Sequence, residues 1–267
     1  MTEEAEKNKI TDKNSHLIGS LDILLKISAM LMSSGASTYR ILLIINQFAT
    51  TLGFQVKVFM THTKFIMTLK DKETEEFKTS VKTLDPIGVN FKKVSALSKA
   101  SFHALNEKWS YSQIEKEIER IENLKHYPRI VILLAVSFAG AAFCEIFGGN
   151  WLNMIITFIA TFFGLLSRQE GAKRNHNPYV IVFTSAFIAS AIASIGIIFN
   201  LGYKPEIALA TSVLFLIPGV PLVNSFTDFT EGYIINGLVR LINGLLIIFS
   251  IALGLFVAMY LFDISKI

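Results

Sequence analysis

Eight residues in the second half of the chain are of types that are costly in apolar surroundings or that interrupt a helix, yet they lie in or beside apolar runs: Glu145, Asn153, Pro218, Gly219, Pro221, Asn224, Asp228 and Arg240. A charged side chain at the centre of a membrane helix costs about 2.5 to 3.5 kcal/mol on insertion scales, so such groups face a cavity or another helix. Pro218 and Pro221 each remove a backbone donor, and Gly219 between them eases an irregular conformation, which predicts a broken or kinked helix over Ile217 to Phe229. Carbonyls and a helix N-terminus exposed at depth can bind ions and anionic solute groups. The plainer alternative is a helix that simply ends at the membrane surface. Beyond the break, Asn224 and Asp228 are four apart and share a helical face, while Asn236, Arg240 and Asn243 fall at i, i+4 and i+7 and form one polar stripe. Arg240 has three readings: counter-charge for Asp228, two-pronged clamp for a solute carboxylate, or anchor on lipid phosphate. Asp228 is the acid best placed to carry a proton, because drying a site disfavours a carboxylate's charged form. Glu145 comes second, reaching the interface or lending a carboxylate to a pathway. Asn153 suits either a pathway or a helix–helix hydrogen bond.

These residues need a membrane scaffold, and the chain supplies one. From Ile130 to Phe262 it is a series of apolar runs separated by short polar joints. The first run has 18 residues, and the last, Leu241 to Phe262, has 22 and no charge. At 1.5 Å per residue these cross a hydrocarbon layer of about 30 Å. The expected fold is an α-helical polytopic membrane protein with five transmembrane helices near 130–147, 151–167, 179–199, 206–224 and 238–262, behind a small N-terminal cytosolic α/β domain over residues 1–128. The second span is the shortest and least secure. Arg168, Lys173 and Arg174 crowd the second joint and Arg240 lies near the fourth, so the positive-inside rule places the N-terminal domain in the cytoplasm and, with five spans, the C-terminus outside. Trp151 and Tyr203 on outer joints, with Tyr127 and Tyr179 on inner ones, fit interfacial aromatics.

In the N-terminal part, apolar residues at helical spacing predict a helix over Leu17 to Met32, stopped by Ser33-Ser34-Gly35, and a second from Ser37 or Thr38 to Gly53. Phe54 to Met60 and Lys64 to Lys70 alternate like the arms of a β-hairpin, and Phe77 to Thr83 makes a third strand. Asp85-Pro86 then opens a helix over about Gly88 to Leu105, and a charged helix follows over about Tyr111 to Leu124, ending at the elbow His126 to Arg129.

Composition narrows the function. Residues 1–129 hold 19 Lys or Arg against 15 Asp or Glu, and the rest hold 6 of each. A weak basic excess mixed with acids suits a solvated face near an anionic leaflet rather than a nucleic-acid groove. The single cysteine, Cys144, gives neither a disulfide framework nor metal-ligand spacing. The polar N-terminus lacks the apolar core of a secretory signal. No cofactor motif occurs, and Ser33, Ser34 and Ser37 with His62 or His103 lack the glycine pattern and orienting acid of a hydrolase. A membrane-tethered hydrolase is therefore the weakest reading. Transport is the strongest, and a regulatory or scaffolding subunit gating a partner's channel is the alternative.

At these residues the chain resembles the threonine/serine exporter family, in the form with a soluble N-terminal domain and five spans, and is similar to the inner-membrane subunits of its two-component succinate exporters. The resemblance rests on Gly35-Ala36 with Thr38-Tyr39-Arg40, on Val58 to Thr63, on Phe147-Gly148-Gly149-Asn150-Trp151, and above all on Leu216-Ile217-Pro218-Gly219-Val220-Pro221-Leu222 followed by Asn224, Asp228 and Gly232. It implies a bacterial inner-membrane protein exporting small hydroxy-amino acids or dicarboxylates on the proton gradient. It also implies a second, smaller membrane domain, expected here on a separate chain because this sequence stops at Ile267. Where family members often carry acids, this chain has Ser37, Leu42 and Asn153.

Overall fold

The computed structural model describes residues 2–61, 64–72, 75–83, 88–124 and 127–264, with side chains from His16 onward. The protein is mostly helical with one small N-terminal sheet. It groups into two compact units, residues 1–125 with 220–241, and residues 126–219 with 242–267.

The first unit begins with α1 (Thr2–Ser33), longer than the expected Leu17–Met32, and α2 (Thr38–Thr51). Strands β1 (Phe54–Met60), β2 (Lys64–Asp71) and β3 (Phe77–Thr83) form an antiparallel sheet in the order β1-β2-β3, with Phe59 opposite Ile66 and Ile66 opposite Val81. Phe65, Met67 and Leu69 alternate onto the core side, where they join Leu24, Ile27 and Leu31 of α1 and Ile41, Ile44, Ile45 and Phe48 of α2. Each such side chain removed from water contributes about 1.5 to 3 kcal/mol. α3 (Phe91–Glu107) and α4 (Tyr111–Glu122) complete the layer. The expected helix start at Asp85-Pro86 lies outside the described residues. α3 instead begins after Asn90, whose side chain accepts from Lys93 N at 3.2 Å, because the Gly88 and Asn90 amides are drawn away to the Ser33 and Ser34 carbonyls. The unit is closed by α9 (Gly219–Thr230), assigned here from Val220, and by the start of α10 (Ile234–Leu261).

The second unit holds α5 (Arg129–Ile146), α6 (Trp151–Lys173), α7 (Pro178–Ile198), the short α8 (Glu206–Ser212), a 3-10 turn over Leu214–Leu216, and the rest of α10. α6 corrects the expectation of a short second span. The helix runs for 23 residues because its polar tail stays helical to Lys173, and Glu170 in that tail pairs with Arg129, Lys173 and Arg174 at 3.6 to 3.8 Å. Small residues let α6 and α7 approach closely: a Cβ added to Gly164 would meet Ala189 Cβ at 2.9 Å.

Among the described residues, five helices are long and apolar enough to cross a membrane: α5, α6, α7, α10 and His16–Ser33 of α1. The last was read from sequence as a soluble core helix. Its window is 61% buried, against 28% for α5 and α10, because α2, the sheet, α3 and α4 cover it. The expected fourth span is divided between α8 with its 3-10 turn and α9, and if this bent pair counts as one span the total is six.

Candidate functional site

The break in that fourth span falls at Ile217 and Pro218. Ile217 is extended at φ −56° and ψ 126°, which suits a residue preceding proline. Helix resumes at Gly219, so Pro221 lies in the first turn of α9, where a missing N–H costs nothing. Only Pro218, itself buried, lies in the break; Gly219 is exposed and Pro221 half-buried.

Within the first unit, α9 is short and tightly finished. Gly232 at φ +83° takes the left-handed position, with Gly232 N donating to Phe229 O and Tyr233 N to Asp228 O. The chain then turns into α10, and Gly237 allows the two helices to touch. Ser225 Oγ donates to Gly237 O at 2.8 Å, and a Cβ on Gly237 would strike the Phe229 ring at 2.8 Å.

A matching turn joins α1 to α2. Gly35 at φ +85° ends α1, and the carbonyls of Gly35 and Ala36 are left to accept from side chains. Asn224 Nδ2 donates to Gly35 O at 2.8 Å, and Arg240 Nη2 donates to Ala36 O at 3.0 Å.

At the centre is Asp228, fully buried. Thr38 N donates to its Oδ1 at 3.0 Å and the Thr38 hydroxyl to its Oδ2 at 2.9 Å, while Arg240 Nε lies 3.1 Å from Oδ2 as an ion pair. Thr38 is the first residue of α2, and Ser37 before it makes no side-chain cap bond. Asp228 therefore supplies the acceptor that the orphan donors of α2 need, from 190 residues away, and its charge complements the positive end of that helix. Arg240 Nε has no well-angled hydrogen-bond acceptor, so its link to Asp228 is electrostatic. Asn236 Nδ2 reaches Thr38 Oγ1 at 3.4 Å.

Of the residues singled out from sequence, the structure brings together Asn224, Asp228 and Arg240, with Asn236 beside them. Arg240 realises the first of its three readings, as counter-charge to Asp228. The polar stripe is shared out: Asn243 accepts from Tyr179 Oη at 2.8 Å in the second unit. Glu145 and Asn153 belong to that second unit. Glu145 is exposed near the end of α5. Asn153 is fully buried and donates through Nδ2 to the carbonyls of Tyr203 and Lys204, which ties α6 to the joint between α7 and α8. Sequence reasoning did not give Thr38 and the Gly35 and Ala36 carbonyls a role at the site. No local signal marked them, because Ser37 before the helix looks like an ordinary N-cap and only the structure shows that its side chain makes no cap bond. No group of three or more metal-ligating side chains occurs among the described residues.

A family profile described as "Putative threonine/serine exporter" matches residues 22–262. The chain is 31% identical over 197 residues to the "Probable succinate transporter subunit YjjP" of Klebsiella aerogenes, covering 73% of this chain and 74% of that one. The protein of the same name from Escherichia coli is likewise 31% identical, covering 73% and 75%. The "Threonine/serine exporter" of Corynebacterium glutamicum is 24% identical over 97% of this chain, which spans about half (54%) of that longer protein. No solved structure matches.

Proposed function

The chain belongs to the threonine/serine exporter family, and from that membership we propose that it is a subunit of a proton-driven exporter of small carboxylated metabolites, threonine and serine or a dicarboxylate such as succinate. It is a multi-pass membrane protein of transport, in a family of transporters rather than enzymes. In the proposed arrangement it lies in the bacterial inner membrane. α5, α6, α7, the broken pair and α10 cross the bilayer, residues 1–128 form a cytosolic domain, and the C-terminus lies outside. The basic residues at one end of α5 and α6, Arg129, Arg168, Lys173 and Arg174, support that orientation. A separate, smaller membrane subunit completes the exporter, as the word "subunit" in the relatives' names suggests.

The observation that carries the mechanism is the buried Asp228–Arg240 pair at the N-terminus of α2. In this reading the carboxylate is the switch: a proton on it removes the charge that holds Arg240, while one oxygen still accepts from Thr38 N. Asp228 is the proposed coupling acid, with Glu145 the reserve; Pro218, Gly219, Pro221, Asn224, Arg240 and Asn153 are the proposed pathway and its supports. Export should be measured from cells holding this chain alone, the smaller partner alone, or both. Gradient-driven efflux of threonine, serine or succinate only with both supports the proposal; none with any combination overturns it.

A second reading has its own support. Residues 220–241 pack in one compact unit with residues 1–125, so the segment after the break is bonded to the α1–α2 turn. This suits a subunit whose soluble domain gates a channel formed by the partner, in which case the partner alone would leak solute in both directions.

A further inference from the structure

The second unit contains a second polar constellation, remote in sequence from the Asp228 cluster. Asn153, Thr157 and Thr161 lie at i, i+4 and i+8 on one face of α6, and all three are fully buried. They face α8 and the joint before it. Asn153 Nδ2 donates to the Tyr203 and Lys204 carbonyls, Thr157 Oγ1 lies 3.2 Å from Thr211 Oγ1, and Thr161 Oγ1 donates to Ser212 O at 3.4 Å. Thr211 already gives its proton to Ile207 O at 2.7 Å, so Thr157 is the donor to Thr211. Two further polar atoms in the unit, Asn153 Oδ1 and Ser190 Oγ, are buried with no hydrogen-bond partner among the described residues.

The interface of α6 with α7 is built differently. Against α7 it packs Ala160 with Ala193, Gly164 with Ala189, and Ile156 with Gly196, all close and apolar. Parting α6 from α7 would expose that surface to water. The α6–α8 side is mixed: Leu209 of α8 shares the apolar cluster of Ala160 and Ala193, and beside it the Thr157–Thr211 and Thr161–Ser212 bonds can be exchanged for bonds to water or solute at little cost. α8 is also a short piece of 7 residues, with Gly202 and Lys204 in left-handed conformations before it and the Ile217–Pro218 break after it.

We propose that the seam between α6 and α8, lined by Asn153, Thr157, Thr161, Thr211 and Ser212, is the solute passage of this chain. The lining offers hydroxyls, carbonyls and one amide but no charged side chain, so it suits a small hydroxyl- or carboxyl-bearing solute that carries no net charge there. A zwitterionic hydroxy-amino acid fits, as does a dicarboxylic acid accompanied by its protons. The inference rests on the export reading, and labelling tests it without requiring export. In full-length protein with Cys144→Ala, single cysteines at Thr157, Thr161 and Thr211 are compared with Ala160→Cys and Ala189→Cys in proteoliposomes, using a small charged thiol reagent. The seam cysteines should react at least about tenfold faster, a difference of about 1.4 kcal/mol in barrier. Threonine should slow the reaction at any pH, and succinate only at acidic pH. Seam cysteines as inert as those at 160 and 189 overturn the proposal, as does fast labelling that neither solute slows. Where a cysteine variant is not produced, Thr157→Val against Thr157→Ser serves in its place: the passage predicts export lost in the first and kept in the second, and equal export in both overturns it. Absence of export by the unsubstituted pair, with labelling and protection intact, would count against the export reading alone.

Discussion

Replacing Asp228 by Asn changes almost no volume and removes one charge, so its consequences can be worked from the bonds around it. The carboxylate accepts from Thr38 N and Thr38 Oγ1 and neutralises Arg240. In the Asn variant one oxygen still serves the α2 amide, and the Thr38 hydroxyl can turn to accept from the new amide. Arg240, only 7% exposed, loses its counter-charge and keeps its bond to Ala36 O. Removing one partner of a buried ion pair costs about 3 to 5 kcal/mol, chiefly as the penalty of the abandoned charge. At about 2 to 4 °C per kcal/mol, the transition of the first unit should fall by roughly 10 °C. Arg240→Met leaves a buried unpaired carboxylate and should cost a similar amount. The double variant removes both charges and should be much more stable than the sum of the singles implies, with a coupling energy of about 3 kcal/mol.

The double variant also separates two roles for Asp228. If the carboxylate only latches α9 to α2, restoring stability should restore gradient-driven efflux. If it carries the coupling proton, the double variant should be stable in the membrane and still fail to concentrate solute outward, though solute exchange persists. Thermal unfolding of the purified protein in detergent, with efflux under an imposed pH gradient, reads both. We expect stability without coupled efflux. Coupled efflux in the double variant refutes Asp228 as the coupling acid, and singles that each cost less than about 1 kcal/mol refute the buried-pair energetics.

A reporter active only in the cytoplasm should work when fused after Arg174 and fail after Ile267; activity at the C-terminus would show that the spans are miscounted. Pro218→Ala with Pro221→Ala should preserve insertion and strongly reduce efflux. Because Pro221 lies in the first turn of α9, Pro218→Ala alone should account for most of the loss, and wild-type efflux in the double change would mean that the break only ends a helix. Gly202→Ala combines a left-handed backbone at φ +88° with a Cβ that would collide with Asn153 Oδ1, whereas Gly148→Ala at φ +91° meets nothing. The second should cost about 1 to 2 kcal/mol of backbone strain and the first clearly more; equal melting shifts would refute the contact.

What was legible in the sequence was whatever local pattern dictates. Strand alternation placed β3 at its observed limits, and Pro218 announced the break, because these depend on neighbours within a few residues. Asp228 and Arg240 were legible as one possible pair, because both charges fall near the joint between the fourth and fifth spans, but a solute carboxylate or a lipid phosphate suited Arg240 as well. Their third partner was not. Thr38 is 190 residues from Asp228, and a threonine opening a helix looks the same whether its amide is capped by the residue before it or by a distant carboxylate. The length of α6 was misjudged for a related reason, since a polar tail resembles a joint when much of its support comes from Arg129, about 40 positions upstream, which bonds Gln169 and pairs with Glu170. In both places a charged or polar group at a helix end is satisfied by a residue that sequence spacing cannot specify. Those long-range polar bonds are few, and they sit where the chain must change direction beside a break or a joint. The residues that sequence reading assigns least securely are therefore the ones on which a change of conformation in this chain would act.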